Sequence, residues 1–319
     1  MQKLYANITG TSGIEKVQTS DSHSAQLSNV SVVAHSTSLD IGDTISVDLG
    51  YESNHQTVFT GYVKSISENS PGGLTTINAS NVLVRAMDYF IASSDPENPA
   101  SWSNITAEAL VGAVLSMAGV TNYSSDVSHF TFAINNPVEV NLTSAYDYAH
   151  FIASLIAFNL YGDKNGYARF ENRRPYVVDT DTPIAYSVDD TKVITAEYLR
   201  SEKDLRNRVV VYGANSIHAE ASASSPYLPS GFYKTVVAAA PTVIDTQSMA
   251  QQAADYNLDL LNRLTRRVAV QLVGEPSIET RNTMNVSISS LGIDEELYIY
   301  SVSHSFGREG YTTSVELRD

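Results

Sequence analysis

His304 stands in "SVSHSFG" between Ser303 and Ser305, the residue types that a nucleophile and its general base would need. Strand alternation argues against that pairing. Tyr298, Tyr300, Val302, His304 and Phe306 fall on one face, and Ile299, Ser301, Ser303 and Ser305 on the other. His304 is therefore expected to be a buried or semi-buried strand residue, hydrogen-bonded within the fold or at a subunit contact. The other six histidines are His23, His35, His55, His129, His150 and His218, and no two share the short spacing of a metal pair. Asp179 with Asp181, and Asp189 with Asp190, are carboxylate pairs able in principle to hold calcium or to act as acid and base. Their setting, "VVDTDTPIAYSVDDTK", reads as solvated loop. "GDKNG" lacks the remaining ligands of a calcium loop and reads as a hairpin turn, and His150 reads as a packed helix residue. Neither a G-x-S-x-G elbow nor a phosphate-binding G-x-x-x-x-G-K is present. No catalytic, cofactor-binding or metal-ligating residue is assigned.

The composition narrows the class. A net charge of −15 with few Lys and Arg clusters excludes a specific nucleic-acid grip. The largest basic cluster, "NRLTRR" (Asn262–Arg267), is expected at a helix end, where cations suit the dipole. Cysteine is absent, which removes disulfide and thiolate chemistry. "ALVGAVLSMAGV" and "AHFIASLIAFNL" are too short to span a membrane. The opening "MQKLYANITGTSG" lacks the basic and apolar regions of a signal peptide, so assembly in a cytoplasm is expected. Tyr (19) outnumbers Phe (9), a bias suited to sheets with one wet face.

Elements then follow from periodicity. "TISVDLG" places Ile45, Val47 and Leu49 on one face of a strand, and "VFTGYVKSI" and "LTTINASNVLV" continue the strand set, the last after the turn "SPGG". A Pro-rich connector, "SSDPENPASW", precedes two helices, "TAEALVGAVLSMAG" capped by Thr106 and "TSAYDYAHFIASLIAFN" capped by Thr143 or Ser144. A hairpin turning at Asp163–Gly166 comes next. Beyond "NRVVVYG", residues 214–231 are Ser/Ala/Pro-rich and read as an exposed loop. A third helix over about 246–265 carries Met249, Ala253, Tyr256, Leu260 and Leu264 in one stripe. The fold class is mainly β with an α+β insert: a first small antiparallel barrel at 1–92, a middle α+β region at 93–203, and a second barrel at 204–319.

The two barrels are expected to be copies of one another. "DTISVDL" overlays "NTMNVSI", with Thr44 on Thr283 and Val47 on Val286. The same offset carries Val63 onto Val302 without a gap, and "TTINAS" and "TTSVEL" close the two halves.

"NRVVVYG", "AQQAADYNLDLLNR", "VAVQLVGEPSIETRNTMNVSI" and "YIYSVSHSFGREGYTTSVEL" together resemble, in order, the hub subunit of tailed-phage baseplates and tail tips, a family that includes late-control tail proteins and parts of contractile injection systems. "VFTGYVKSI" resembles that family's first-barrel F-x-G-x-V strand, and "DKNGYARF" its middle hairpin. The chain departs from the pattern at "EPSIET" and in the loop at 214–231. The resemblance implies a virion structural protein without enzymatic activity or cofactor. It implies a homotrimer whose six barrels form a pseudo-six-fold channel between a hexameric tail tube and a three-fold spike or tip. The partners so implied are the chain itself, the tail tube protein and the spike or tip protein, with tape-measure, baseplate wedge and distal tail proteins as further neighbours. Two other classes compete with it: a cell-wall glycan hydrolase of the tail tip using Asp179 and Asp189, and a carbohydrate-binding tail adhesin suggested by the Tyr-rich strands. The last residue, Asp319, follows the final strand directly, so no fused hydrolase is expected.

Overall fold

In the computed structural model, the described residues are 3–69, 73–93, 99–128, 130–132, 137–156, 158–172, 186–240, 243–262 and 265–318. The turn at Ser70, most of the Pro-rich connector, His129, Asp179, Asp181 and Leu264 lie outside them, as does the side chain of Leu260.

Period-two alternation sets the first six strands: β1 (Leu4–Ile8), β2 (Thr11–Ser22), β3 (Asn29–Thr37), β4 (Thr44–Tyr51), β5 (Asn54–Asn69) and β6 (Leu74–Asn81). They lie side by side in the order β1-β4-β5-β6-β3-β2. Ile45, Val47, Leu49, Val32 and Ile77 are fully buried on the inner face and join Val17, Phe59 and Val63 in one core. Each such side chain removed from water contributes roughly 1.5–3 kcal/mol. Gly61 is required by close strand approach, because a Cβ there would meet the Ser80 carbonyl oxygen.

The chain next forms α1 (Val84–Asp88), β7 (Phe90–Ile91), β8 (Ala100–Trp102), α2 (Ala107–Met117), β9 (Tyr123–Ser125), β10 (Val138–Val140), β11 (Thr143–Ser144), α3 (Ala145–Leu155), β12 (Asn159–Gly162) and β13 (Ala168–Glu171). Thr106 caps α2 through the Ala109 N–H, and Ser144 rather than Thr143 caps α3 through the Asp147 N–H. Beyond these come β14 (Tyr186–Asp189), β15 (Val193–Ser201), β16 (Arg208–Tyr212), β17 (His218–Ser222), β18 (Thr235–Ala239), α4 (Gln247–Leu261), β19 (Thr265–Val273), β20 (Thr283–Ile288), β21 (Ile293–Gly307) and β22 (Gly310–Arg318).

Two expectations change in the middle of this list. The segment 214–231 is not simply an exposed loop: it contains β17, whose Ala219 and Ala221 alternate into the core beneath α4. Alanine is small enough to let the helix approach the strand closely. Arg266 and Arg267 lie on strand β19 rather than at a helix end, and pair with Glu295 and Glu316 across the sheet. Residues 204–319 therefore feed two cores. β16, β17 and α4 pack with α2, α3 and the β12–β13 hairpin, whereas β19 to β22 enclose Val268, Val270, Met284, Val286, Val315 and Leu317. β14 and β15 join this last group.

The second strand group has the order β14-β20-β21-β22-β19-β15. Taken in chain order within each half, this is the arrangement of β1 to β6 again. Two irregularities coincide too. β2 bulges against β3 between Ile14 and Lys16, and β15 bulges against β19 between Val193 and Thr195. β5 bulges against β6 between Val63 and Ser65, and β21 against β22 between Ile299 and Ser301. Bulges are specific local insertions, so two shared ones mark duplication.

The expected gapless overlay is corrected. Thr44 pairs with Tyr62, and Thr283 pairs with Tyr298, so Val63 corresponds to Ile299 and not to Val302. The hairpin between β20 and β21 is the shorter one and absorbs the difference. Along the last strand Thr75 matches Thr313, since Ser65 faces Asn78 where Ser301 faces Glu316. The bulge also corrects the facing of β21: Ile299 is fully buried with Leu297, and Tyr300 is turned partly outward. Two differences are genuine: β1 runs antiparallel to β4 whereas β14 runs parallel to β20, and β4–β5 carries a further bulge between Val47 and Asp48 that β20–β21 lacks.

The halves are not separate closed barrels. β2 pairs with the far end of β21, fusing both groups into one 12-stranded sheet whose described pairings close no ring. Among the described residues no helix is long and apolar enough to cross a membrane.

Candidate functional site

The seam between the halves is where chemistry-capable side chains gather. β2 from Lys16 to Ser22 lies antiparallel to β21 from Gly307 to Ser301. This places His304 opposite Thr19, beside Tyr311 and Thr313 of the neighbouring strand. His304 is buried; its N–H donates to Thr19 Oγ1 at 3.3 Å. The Tyr311 hydroxyl lies 2.9 Å from Nδ1 and the Thr313 hydroxyl 3.1 Å from the same nitrogen, so Nδ1 is hydrogen-bonded between the two. Burial, with the nearby Lys164 charge adding to it, pushes the His304 imidazole down to about 4. Burial likewise holds the Tyr311 phenol well above its ordinary value, so it keeps its proton. A neutral, buried histidine whose Nδ1 is held by two hydroxyls is a structural residue, as its strand position implied.

Arg281 is the feature that sequence reasoning missed. It follows Thr280 in the segment leading into β20, and its backbone is left-handed, φ 67°. Its equivalent in the first half is Gly42, φ 90°. Both donate their N–H at 2.9 Å to the matching strand carbonyl, Ile299 for Arg281 and Val63 for Gly42. Glycine enters this conformation freely, whereas a residue with a Cβ pays about 1–2 kcal/mol. What offsets the strain is the guanidinium. It is 3% exposed and reaches Asp21 Oδ2 at 3.2 Å, Thr280 Oγ1 at 2.6 Å and the Ser22 carbonyl at 3.3 Å. Its carbon lies 3.9 Å above the Tyr161 ring. Asp21 also accepts from Thr280 and from Ser28 Oγ at 2.7 Å. One arginine therefore ties the second half to β2 of the first and to the β12–β13 hairpin of the middle region. The only signal in the sequence is "IGDT" set against "TRNT", an arginine where the repeat has glycine.

Around these residues is a polar cavity of about 270 Å³, lined by Asp21, Asn81, Tyr161, Lys164, Glu279 and His304 among others. Its charges are matched: Lys164 pairs with Glu279 at 2.6 Å, and Arg169 with Asp163 at 2.8 Å. Among the described residues no three His, Asp or Glu side chains are grouped to hold a metal ion.

The other candidates stand apart from this seam. Asp189 accepts from the Thr191 N–H and hydroxyl in a turn, and Asp190 caps the Ser289 N–H. Asp163 accepts from the N–H groups of Asn165 and Tyr167, so "GDKNG" is a hairpin turn. His150 is exposed on α3 rather than packed inside it, with its ring stacked on Tyr146 at 5.6 Å.

Two predictions follow from this geometry. Replacing Arg281 with Ala leaves Asp21 short of its cation and should cost about 3–5 kcal/mol of stability in urea melts. Arg281→Gly should recover about 1 kcal/mol of that loss by relieving the left-handed strain; equal losses for the two variants would contradict the clamp-and-strain reading. For His304, the unfolded imidazole binds a proton near 6.5 and the folded one only near 4. Its contribution is complete above pH 6.5 and lost as pH falls through that window, on the order of 3 kcal/mol. His304→Gln should be less stable at pH 7.5 yet lose less stability between pH 6.5 and 4.5. Parallel pH profiles for the two proteins would contradict this assignment.

The profile of a family described as YQBQ-like matches residues 181–318, which span the second strand group and the segment inserted in it. No curated protein sequence matches the chain. Among solved structures, the 43 kDa tail protein of prophage MuSo2 from Shewanella oneidensis aligns over 100% of both chains with TM-score 0.71 and 15% identity. A tail protein from Neisseria meningitidis aligns over 99% of this chain and 97% of its own, with TM-score 0.71 and 11% identity. An Escherichia coli component of the type VI secretion system, described as structurally similar to the T4 tail proteins gp27 and gp5, aligns over 98% of this chain and 76% of its own. Its TM-score is 0.59 at 9% identity. Over its full length, therefore, the chain has the fold of phage tail proteins and of a secretion-system component that resembles them.

Proposed function

We propose that the chain is a structural subunit of a phage tail or a related injection particle, acting as the homotrimeric hub at the baseplate or tail tip. The observation that carries this reading is the repeated six-strand arrangement with its shared bulges, present twice in a chain whose fold is that of tail proteins along its whole length. A chain with two equivalent units reconciles two symmetries. Three copies present six similar units to a six-fold tube and three chain-specific faces to a spike or tip. The assembly units are a first tube-type unit at 1–92, a middle region at 93–203 and a C-terminal unit from 204, the segment β16–α4 packing on the middle region and β14–β15 completing the second sheet.

The hub's partners in this reading are other copies of itself, the tail tube protein and the spike or tip protein, with tape-measure and wedge or distal tail proteins as further neighbours. It works in the virion. The acidic balance of −15 suits a conduit wall that DNA passes without being held. The reading is non-enzymatic: Asp189 and Asp190 spend their oxygens on turn hydrogen bonds, which supports a scaffold over a hydrolase.

In particles purified from producing cells, the chain should be found at the tail tip in three copies, and the isolated chain should give no lytic band on a peptidoglycan zymogram. Absence from the particles, or a lytic band lost on Asp189→Asn, would contradict the proposal.

A further inference from the structure

In the repeat, one side of the β5-type strand has room for two neighbours. In the second half, β20 covers the first part of β21 as far as Tyr298, and β2 covers the remainder from Ser301 to Gly307. In the first half, β4 covers β5 as far as Tyr62, with Gly42 and Asp43 bonding Val63. Beyond Val63, among the described residues, no strand lies on that side of β5 from Ser65 to Asn69. The complementary gap is at the other end of the sheet. β15 is the counterpart of β2, and its outer edge pairs with no strand among the described residues. Among the described residues, the chain thus carries an open socket on β5 and an open edge on β15, and the closed version of the same joint lies within it.

We infer that β15 of one copy pairs antiparallel with the Ser65–Asn69 edge of β5 in a second copy, repeating between chains the β2–β21 joint found within each chain. This rests on the self-assembling hub reading above and adds the surface and the register. The internal joint supplies the alignment. Ser20 faces Ser303, and their counterparts are Leu199 and Ser67. Tyr198 then faces Glu68, and Arg200 faces Ile66, which places the Arg200 guanidinium diagonal to Glu68 on one face. The exposed apolar side chains fit a covered edge. Leu199 is 46% exposed on β15, and Ile41, at the place of Thr280, is 66% exposed beside the empty stretch of β5. An uncovered strand edge of this length is one that proteins ordinarily blunt or pair.

The two joints differ in strength. The Asp21–Arg281 clamp of the internal joint has Arg200 and Gly42 at the corresponding places, so no buried ion pair locks the joint between copies. The contact is heterologous, socket to strand, and propagates head to tail until rotation closes it.

The absence of cysteine makes the register testable by cross-linking. Leu199→Cys with Ser67→Cys, and Tyr198→Cys with Glu68→Cys, place thiols opposite one another at the two alternating pair geometries, one of which suits a disulfide. Ser20→Cys with Ser303→Cys is the internal control and should oxidise at the mass of a single chain. Melting of the reduced variant carrying Leu199→Cys with Ser67→Cys should match the parent, since both side chains are exposed. Expected on oxidation is covalent linkage of two and three chains by at least one direct pair. Its yield should exceed that of the off-register pair Leu199→Cys with Ser65→Cys by at least about fivefold. Native mass measurement of the same samples separates the outcomes. Oligomers without that preference overturn the pairing and leave the hub reading standing. A monomer at every concentration overturns both.

Discussion

The antiparallel joint between β2 and β21 is the interaction on which the rest of the structure depends. It connects residues near the start of the chain to residues near its end, and it turns two strand groups into one sheet. Backbone pairing alone leaves such a joint free to slip, and a slip of one residue exchanges the two faces. Here the register is fixed from both sides: His304 is held among Thr19, Tyr311 and Thr313, and Arg281 is anchored on Asp21. Because Arg281 also stacks on Tyr161, the same few side chains orient the middle region against the sheet.

The duplicated halves show where one design has been put to two uses. Their strand order and two of their bulges agree, so the scaffold is common. They part at the edges. β1 and β14 run in opposite directions against their partners, and a glycine in one half is an arginine in the other. In the seam the arginine supplies a permanent link; at the matching outer edge the glycine carries no side chain to form one.

Much of this was legible in the sequence. The alternation through Ile45, Val47 and Leu49, the caps at Thr106 and Ser144, and the inward turn of His304 are local properties, and period and capping chemistry report local properties well. The duplication was visible as well, but its register was not. A three-residue difference in one hairpin let Val63 overlay Val302 by eye while the backbone paired Val63's place with Ile299. The bulge at Tyr300 likewise reversed the facing of Ile299, because one extra residue shifts every side chain before it to the other face. β17 was hidden by its composition, since alternating Ala and polar residues look like a linker until a helix lies over them. The seam escaped detection for a different reason: Asp21 and Arg281 are 260 positions apart and neither belongs to a motif.

The central claim is that the chain carries two equivalent units so that a few copies can build a ring of more units than chains. Single-particle cryo-EM of the purified, concentrated chain tests it most directly. The predicted map has three copies around an open channel, six strand groups related by near six-fold symmetry, and β15 of each copy lying along β5 of the next. Lone chains, or an assembly whose copies meet through the middle region with both strand edges left bare, would contradict it.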